Sequence, residues 1–99
     1  MHVKIESEKL LEAKLREGVK KLGGWCIKLP ALHISGLPDR LALLPGGRVF
    51  FAEIKTTRKK PMGIQLAVHA KLRGLGFRVE VLDTSDQIQK LLSDYETTI

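Results

Sequence analysis

The chain has 99 residues, of which 43% are hydrophobic and 28% are charged, and its formal net charge is +6 at neutral pH. This length allows one domain, residues 1–99, with a single core, and no apolar run approaches the ~20 residues that a membrane-spanning helix requires. A lone cysteine, Cys26, excludes an intrachain disulfide and is typical of a reducing compartment. The N-terminal segment is charged where a signal peptide would be apolar. We therefore expect a basic cytoplasmic domain whose charge favours a polyanionic partner.

The hydrophobic periodicity predicts an α/β domain with the element order αβββαβα. The predicted elements are a helix over 7–22 with Ser7 as its N-cap, strands over 25–29, 41–44 and 48–55, a helix over 64–75, a strand over 77–82, and a last helix capped by Ser85. A loop is expected over 30–38 and a turn over 45–47. The inner face of the second helix is predicted to carry Ile64, Val68, Leu72 and Leu75. Trp25 is expected in the core, with an edge position at a subunit interface as the alternative.

The first candidate site lies on the hairpin of the second and third strands. Because side chains alternate along a strand, Glu53 and Lys55 share one face of the third strand. Asp39 stands just before the second strand. If the hairpin is centred on Gly46, Asp39 and Glu53 are opposed and converge at one end, next to Lys55. A register shift of one residue would separate them, so we predict an odd-numbered hairpin loop unless a bulge intervenes; pairing of Asp39 with Ile54 would refute this.

The distribution of charge singles out the same two carboxylates. Between Gly18 and Val79 the chain has twelve Lys or Arg residues and only two acids, Asp39 and Glu53. Two carboxylates brought together repel unless a cation lies between them, and oxygen ligands on strands suit a hard ion such as Mg²⁺. A lysine beside such a site can orient or deprotonate an attacking water. The competing interpretation is that Asp39 caps a turn while Glu53 and Lys55 form a solvated pair.

These residues belong to a set of short motifs that is followed by a single glutamine. The motifs are Gly36-Leu37-Pro38-Asp39-Arg40, Pro45-Gly46-Gly47 and Phe51-Ala52-Glu53-Ile54-Lys55, and the glutamine is Gln65. With these motifs the chain resembles the VRR-NUC (virus-type replication-repair nuclease) branch of the PD-(D/E)XK nucleases, from the first helix to about Leu82. The resemblance implies a restriction-endonuclease-like core, in which a small mixed sheet is flanked by helices.

The resemblance also implies roles for individual residues. Asp39 and Glu53 would bind Mg²⁺ or Mn²⁺, with the backbone carbonyl of Ile54 as a possible further ligand. Lys55 would be the catalytic lysine, and Gln65 would support the site or touch the phosphate.

The family also places a glutamate on the first helix, for which this chain offers Glu8 and Glu12. Glu12 is favoured because it lies deeper in the helix, between two apolar positions, whereas an acid in the first turn is favoured by the helix dipole anyway. His69, four residues after Gln65, should lie on the same side of its helix; a solvated or hydrogen-bonded histidine is favoured over a catalytic one.

Beyond the site, the basic segment Arg58-Lys59-Lys60 is expected to bind phosphates of DNA, although a basic loop can also be merely solvated. Stand-alone members of the family look like phage or prophage proteins, which implies a bacterial host cell, and the resemblance implies activity on branched DNA such as Holliday junctions. Cutting two strands of a junction symmetrically would call for two active sites, hence a two-fold homodimer. The alternatives are a non-catalytic nucleic-acid-binding module with the same fold, and a basic scaffold protein with a chance motif.

Overall fold

The computed structural model of the protein describes residues 3–30 and 34–96. Its elements are α1 (Glu8–Lys21), β1 (Trp25–Lys28), β2 (Arg40–Leu44), β3 (Arg48–Ile54), α2 (Ile64–Gly74), β4 (Val79–Leu82) and α3 (Ser85–Ser93). This order confirms the predicted αβββαβα. Part of the loop expected over 30–38, residues 31–33, lies outside the described residues. No helix in the described ranges is long and apolar enough to span a membrane.

The four strands form one mixed sheet in the order β1-β2-β3-β4. The pairs β1·β2 and β2·β3 are antiparallel, whereas β4 runs parallel to β3 and is reached through α2. Leu44 pairs with Arg48 across the three-residue turn Pro45–Gly47, in which Gly46 takes a φ of 82° that favours glycine. The last pair, Arg40 with Ala52, places Asp39 opposite Glu53 at the next position. The predicted register and odd-numbered loop are confirmed.

Helices α1 and α3 cover one face of the sheet and enclose the hydrophobic core. Phe50, Ala52 and Ile54 are completely buried on this face, which confirms the alternation predicted for β3. The remaining core residues come from the two helices and the neighbouring strands: Leu11, Leu15, Val19, Ala42, Leu44, Leu82, Ile88, Leu91 and Tyr95. Glu53 and Lys55 consequently lie on the face opposite the core.

Helix α2 lies over that opposite face, and its predicted inner side is right for two residues and wrong for two. Val68 and Leu72 are half-buried, whereas Ile64 is 59% and Leu75 67% exposed, and His69 is buried instead. The helix lies over polar residues of β3, so it turns polar side chains inward: Gln65 and His69 both approach Glu53. Apolar periodicity could not have shown this, because it assumes an apolar partner surface.

Three further details differ from the sequence predictions. Trp25 is 68% exposed rather than in the core, because it lies on the edge strand β1. Thr84, not Ser85, caps α3: its hydroxyl oxygen accepts the N–H of Gln87, and the Gln87 side-chain oxygen accepts the N–H of Thr84. Ser85 instead donates its backbone N–H and its hydroxyl to the buried carboxylate of Glu6, which anchors the segment before α1. The sequence pattern also started β4 two residues too early, at 77 rather than Val79. Ser7 is the N-cap of α1, as predicted.

Candidate active site

Asp39 is held in place from both neighbouring strands. Its backbone carbonyl accepts the N–H of Leu29, just after β1, at 2.8 Å. Its carboxylate Oδ2 accepts the backbone N–H of Ile54, in β3, at 2.9 Å. The side chain is half-buried, so the carboxylate is fixed by the backbone and still within reach of solvent.

Glu53 is the most unusual carboxylate of the site, since its side chain is only 2% exposed. Its Oε2 accepts Gln65 Nε2–H at 3.1 Å and lies 3.4 Å from Lys55 Nζ. Its Oε1 is buried without a hydrogen-bond partner. Burial, followed by the nearby charge of Asp39, raises the pKa of Glu53 from 4.5 to about 7. The two carboxylates therefore carry less than two negative charges at neutral pH unless a cation compensates them.

His69 is a second residue of α2 that lies close to Glu53. It lies one turn after Gln65 on α2, on the same side as predicted, but it is neither solvated nor hydrogen-bonded. Its Nε2 is 3.6 Å from Glu53 Oε1. Burial, followed by the charge of Arg73, lowers the pKa of His69, so the ring is neutral at neutral pH and the contact is no ion pair.

The basic segment Arg58–Lys60 is exposed and lies shortly after the end of β3. Its backbone is nevertheless anchored: the N–H of Arg58 donates to Asp83 Oδ2 at 2.8 Å, and that of Lys59 donates to the carbonyl of Thr56 at 2.8 Å. Arg58 has a φ of 74°, in the left-handed region that non-glycine residues seldom adopt. The segment therefore presents cationic side chains from a defined backbone, which suits contacts to phosphates.

The two first-helix glutamates stand apart from this pair. Glu12 Oε2 lies 3.2 Å from an Arg40 guanidinium nitrogen on the core side of the sheet, and Glu8 is exposed in the first turn of α1. Within the described ranges, no hydrogen bond or ion pair joins either one to Asp39 or Glu53. A role in the site for Glu12 or Glu8 stays a prediction.

The oxygen atoms available at this site suit a hard divalent cation that takes only a few of its ligands from the protein. The described part of the chain contains no cluster of three or more His, Cys, Asp and Glu side chains placed to hold a metal. Two carboxylates and one backbone carbonyl are, however, the small all-oxygen set that Mg²⁺ uses when it keeps several waters. The unpartnered Glu53 Oε1 and the raised pKa of Glu53 indicate a site that lacks positive charge.

Sequence reasoning found the convergence of Asp39, Glu53, Lys55 and Gln65 but missed two supporting features. The first is the burial of His69, for which the only sequence signal is its spacing from Gln65. The second is the anchoring of the loop after Lys55 by Asp83 and Thr57: Thr57 Oγ1 donates to the Asp83 carbonyl at 2.8 Å. No local sequence pattern predicts that contact, because it joins two residues that are 26 positions apart in the chain.

Comparison with known proteins identifies a curated protein and a solved structure that are similar to this chain. A curated protein of Acyrthosiphon pisum secondary endosymbiont phage 1, named "Putative nuclease p44", is 42% identical over 79 residues, which cover 80% of this chain and 85% of the phage protein. A solved structure described as "VRR_NUC domain" superimposes with a TM-score of 0.84 at 33% identity, covering 91% of this chain and 99% of that one. A scan against protein-family models finds no match.

Proposed function

Because the chain belongs to the VRR-NUC family, we propose that it is a divalent-metal-dependent endonuclease that hydrolyses phosphodiester bonds of DNA. The observation that carries this proposal is the convergence of Asp39, Glu53 and Lys55 at one end of the β2–β3 hairpin. A module that only binds nucleic acid would not need this pair of carboxylates, which repels phosphate.

The residues that would hold Mg²⁺ or Mn²⁺ are Asp39 and Glu53, with the backbone carbonyl of Ile54 as the further oxygen. When bound there, the cation would acidify a water, hold the scissile phosphate and neutralise the charge that develops in the transition state.

The protein's own side chains supply the remaining steps. Lys55 Nζ, 3.4 Å from Glu53 Oε2, is placed to orient the attacking water and to take up or release its proton. Gln65 fixes Glu53 by its amide N–H, and its Oε1 accepts the backbone N–H of Met62 at 3.3 Å, which sets the rotation of the amide. Its remaining N–H is free to contact a phosphate oxygen.

The substrate class follows from the basic segment Arg58–Lys60, which would bind phosphates beside the cut strand. Phosphate contacts position a duplex without reading its sequence, so selectivity would come from the shape of the DNA. We therefore extend the proposal to branched DNA, four-way junctions in particular, within a bacterial host that carries the gene on a phage or prophage.

Symmetric cutting of a junction requires two active sites, and the proposal includes a homodimer. Its support is the open face, by which we mean the apolar side chains that share the sheet face of Glu53 but lie towards β1: Trp25, Ile27, Leu41, Leu43, Val49 and Phe51. Trp25 is exposed and the others are half-buried. An exposed aromatic on an apolar surface is typical of an interface with another protein.

Trp25→Arg should convert a dimer into a monomer, measured by light scattering after gel filtration; an unchanged mass would refute this interface.

One cleavage experiment tests the central proposal. Labelled four-way-junction and linear duplex DNA are incubated with the protein in Mg²⁺, Mn²⁺ or EDTA, beside Asp39→Asn and Lys55→Ala. We expect cutting only with metal, preferentially on the junction, and a loss of at least ~100-fold in both variants. Cutting in EDTA, or by both variants at wild-type rates, would refute the mechanism. Binding of DNA without cutting by the wild type would favour the non-catalytic module.

A further inference from the structure

His69 is a buried polar residue that the proposed reaction does not use. Its side chain is 1% exposed, and both ring nitrogens lack a hydrogen-bond partner among the described residues. Leaving a buried polar group unsatisfied destabilises the folded state, because the group has given up its hydrogen bonds to water. A residue with a purely structural task at this position would better be apolar, since leucine fills a comparable volume without that cost. The imidazole therefore calls for a functional explanation.

The group that His69 faces is the unpartnered oxygen of Glu53. The distance from His69 Nε2 to Glu53 Oε1 is 3.6 Å, longer than a hydrogen bond. A small rotation of either side chain would bring the two atoms into range, and both atoms are buried without a hydrogen-bond partner among the described residues. The other oxygen, Oε2, already has Gln65 Nε2 at 3.1 Å and Lys55 Nζ at 3.4 Å.

We propose that His69 is a positioning residue of the cation site, whose Nε2–H donates to Glu53 Oε1 in the cation-bound protein and so keeps the carboxylate turned towards Asp39. Donors from α2 and β3 then hold both oxygens of Glu53, and the carboxylate loses little rotational freedom when it binds the cation. Outer hydrogen bonds of this kind change metal affinity by about 10–100-fold in other metalloproteins. The inference rests on the proposed function, because it assigns His69 a task at the same metal site.

The placement of His69 on α2 couples the helix to the metal site. Gly36 has a φ of 85°, and a Cβ there would lie 2.7 Å from the carbonyl oxygen of Ile64 and 3.0 Å from Val68. The loop before β2, which ends in Asp39, is therefore packed closely against α2, which carries Gln65 and His69. This packing keeps the segment that ends in Asp39 at a fixed distance from the helix that carries Gln65 and His69.

The test compares Mn²⁺ binding and stability of the metal-free protein in three variants. Isothermal titration measures the Mn²⁺ dissociation constant, and thermal unfolding in EDTA measures stability, for His69→Leu, His69→Gln and the control Leu72→Ala. We expect His69→Leu to bind Mn²⁺ about 10-fold more weakly or worse, while its unfolding temperature in EDTA stays the same or rises. His69→Gln, whose amide N–H can reach the carboxylate, should recover most of the affinity. Leu72→Ala, which truncates a half-buried side chain of α2 without removing the donor, should lose stability but keep its Mn²⁺ affinity.

The outcomes separate the role of His69 from the metal site itself. Wild-type affinity in His69→Leu, or equal losses in His69→Leu and Leu72→Ala, would refute the role of His69 alone. Absence of Mn²⁺ binding to the wild type would overturn the proposed metal site and this inference together. If His69→Leu does not fold, ¹⁵N NMR of the Mg²⁺-bound wild type decides: a proton on Nε2 of His69 supports the inference, and a proton only on Nδ1 refutes it.

Discussion

The substitution Glu53→Gln should make the metal-free protein more stable at alkaline pH while it abolishes activity. A carboxyl of the unfolded chain titrates near 4.5, whereas burial, followed by the charge of Asp39, raises the pKa of Glu53 in the folded protein to about 7. Between these two values the folded protein binds the extra proton, so the free energy of unfolding decreases as the pH rises from about 4.5 to 7. A shift of this size corresponds to about 3 kcal/mol. A neutral amide of the same shape carries no such penalty.

The assay is urea unfolding in EDTA at pH 4.5 and pH 8, for the wild type and Glu53→Gln. We expect the stability difference between the variant and the wild type to grow by roughly 3 kcal/mol in favour of the variant between the two pH values. The matched control is Glu17→Gln, an exposed glutamate of α1, for which the difference should stay within about 0.5 kcal/mol.

A second arm of the same experiment adds Mn²⁺ at pH 8. The wild type should gain stability by mass action as the metal concentration exceeds its dissociation constant, whereas Glu53→Gln should gain little. If the stabilities of wild type and Glu53→Gln follow the same pH dependence, the argument from burial and from the charge of Asp39 is wrong.

Three further variants test the surroundings of the site. Replacing Lys59 and Lys60 together by Gln should weaken DNA binding and reduce the slope of log affinity against log salt by about 2, with kcat unchanged; an unchanged slope argues against phosphate contacts. Gly36→Ala forces a Cβ to 2.7 Å from the Ile64 carbonyl, so both the unfolding temperature and kcat should fall, and wild-type values for both would show that α2 can move freely. Thr57→Val removes the acceptor of the Glu6 N–H at 2.8 Å and should lower the free energy of unfolding by about 1–3 kcal/mol in urea titrations.

The hairpin register could be predicted from the sequence because it depends on local rules. Strand alternation and the Pro45–Gly47 turn fix which residues oppose each other, and Asp39 reaches Glu53 as a direct consequence. The side of each residue on β3 follows from the same period of two. The motifs on and around this hairpin resemble those of the VRR-NUC family, and the comparisons support the same family.

The orientation of α2 could not be predicted, since it depends on a contact between distant segments. Its apolar residues suggested a hydrophobic inner face, but Leu75 is exposed while His69 is buried against Glu53. Trp25 was misplaced for a related reason: hydrophobicity alone does not tell a core strand from an edge strand with an uncovered face. In both cases the surface next to the side chain determined its burial, and local propensity did not. For α2 that surface is the polar side of β3, and for Trp25 it is the uncovered face of the edge strand.

The single-turnover rate of junction cleavage by Lys55→Ala tests the central claim most directly, because Lys55 has no structural partner other than Glu53 among the described ion pairs. The measurement uses labelled four-way-junction DNA in saturating Mn²⁺, with DNA binding recorded separately in Ca²⁺ and with the exposed Lys20→Ala of α1 as control. We predict a rate at least ~100-fold below wild type for Lys55→Ala, with junction affinity retained, and a wild-type rate for the control. A wild-type cleavage rate in Lys55→Ala would contradict the assignment of this site as the active centre.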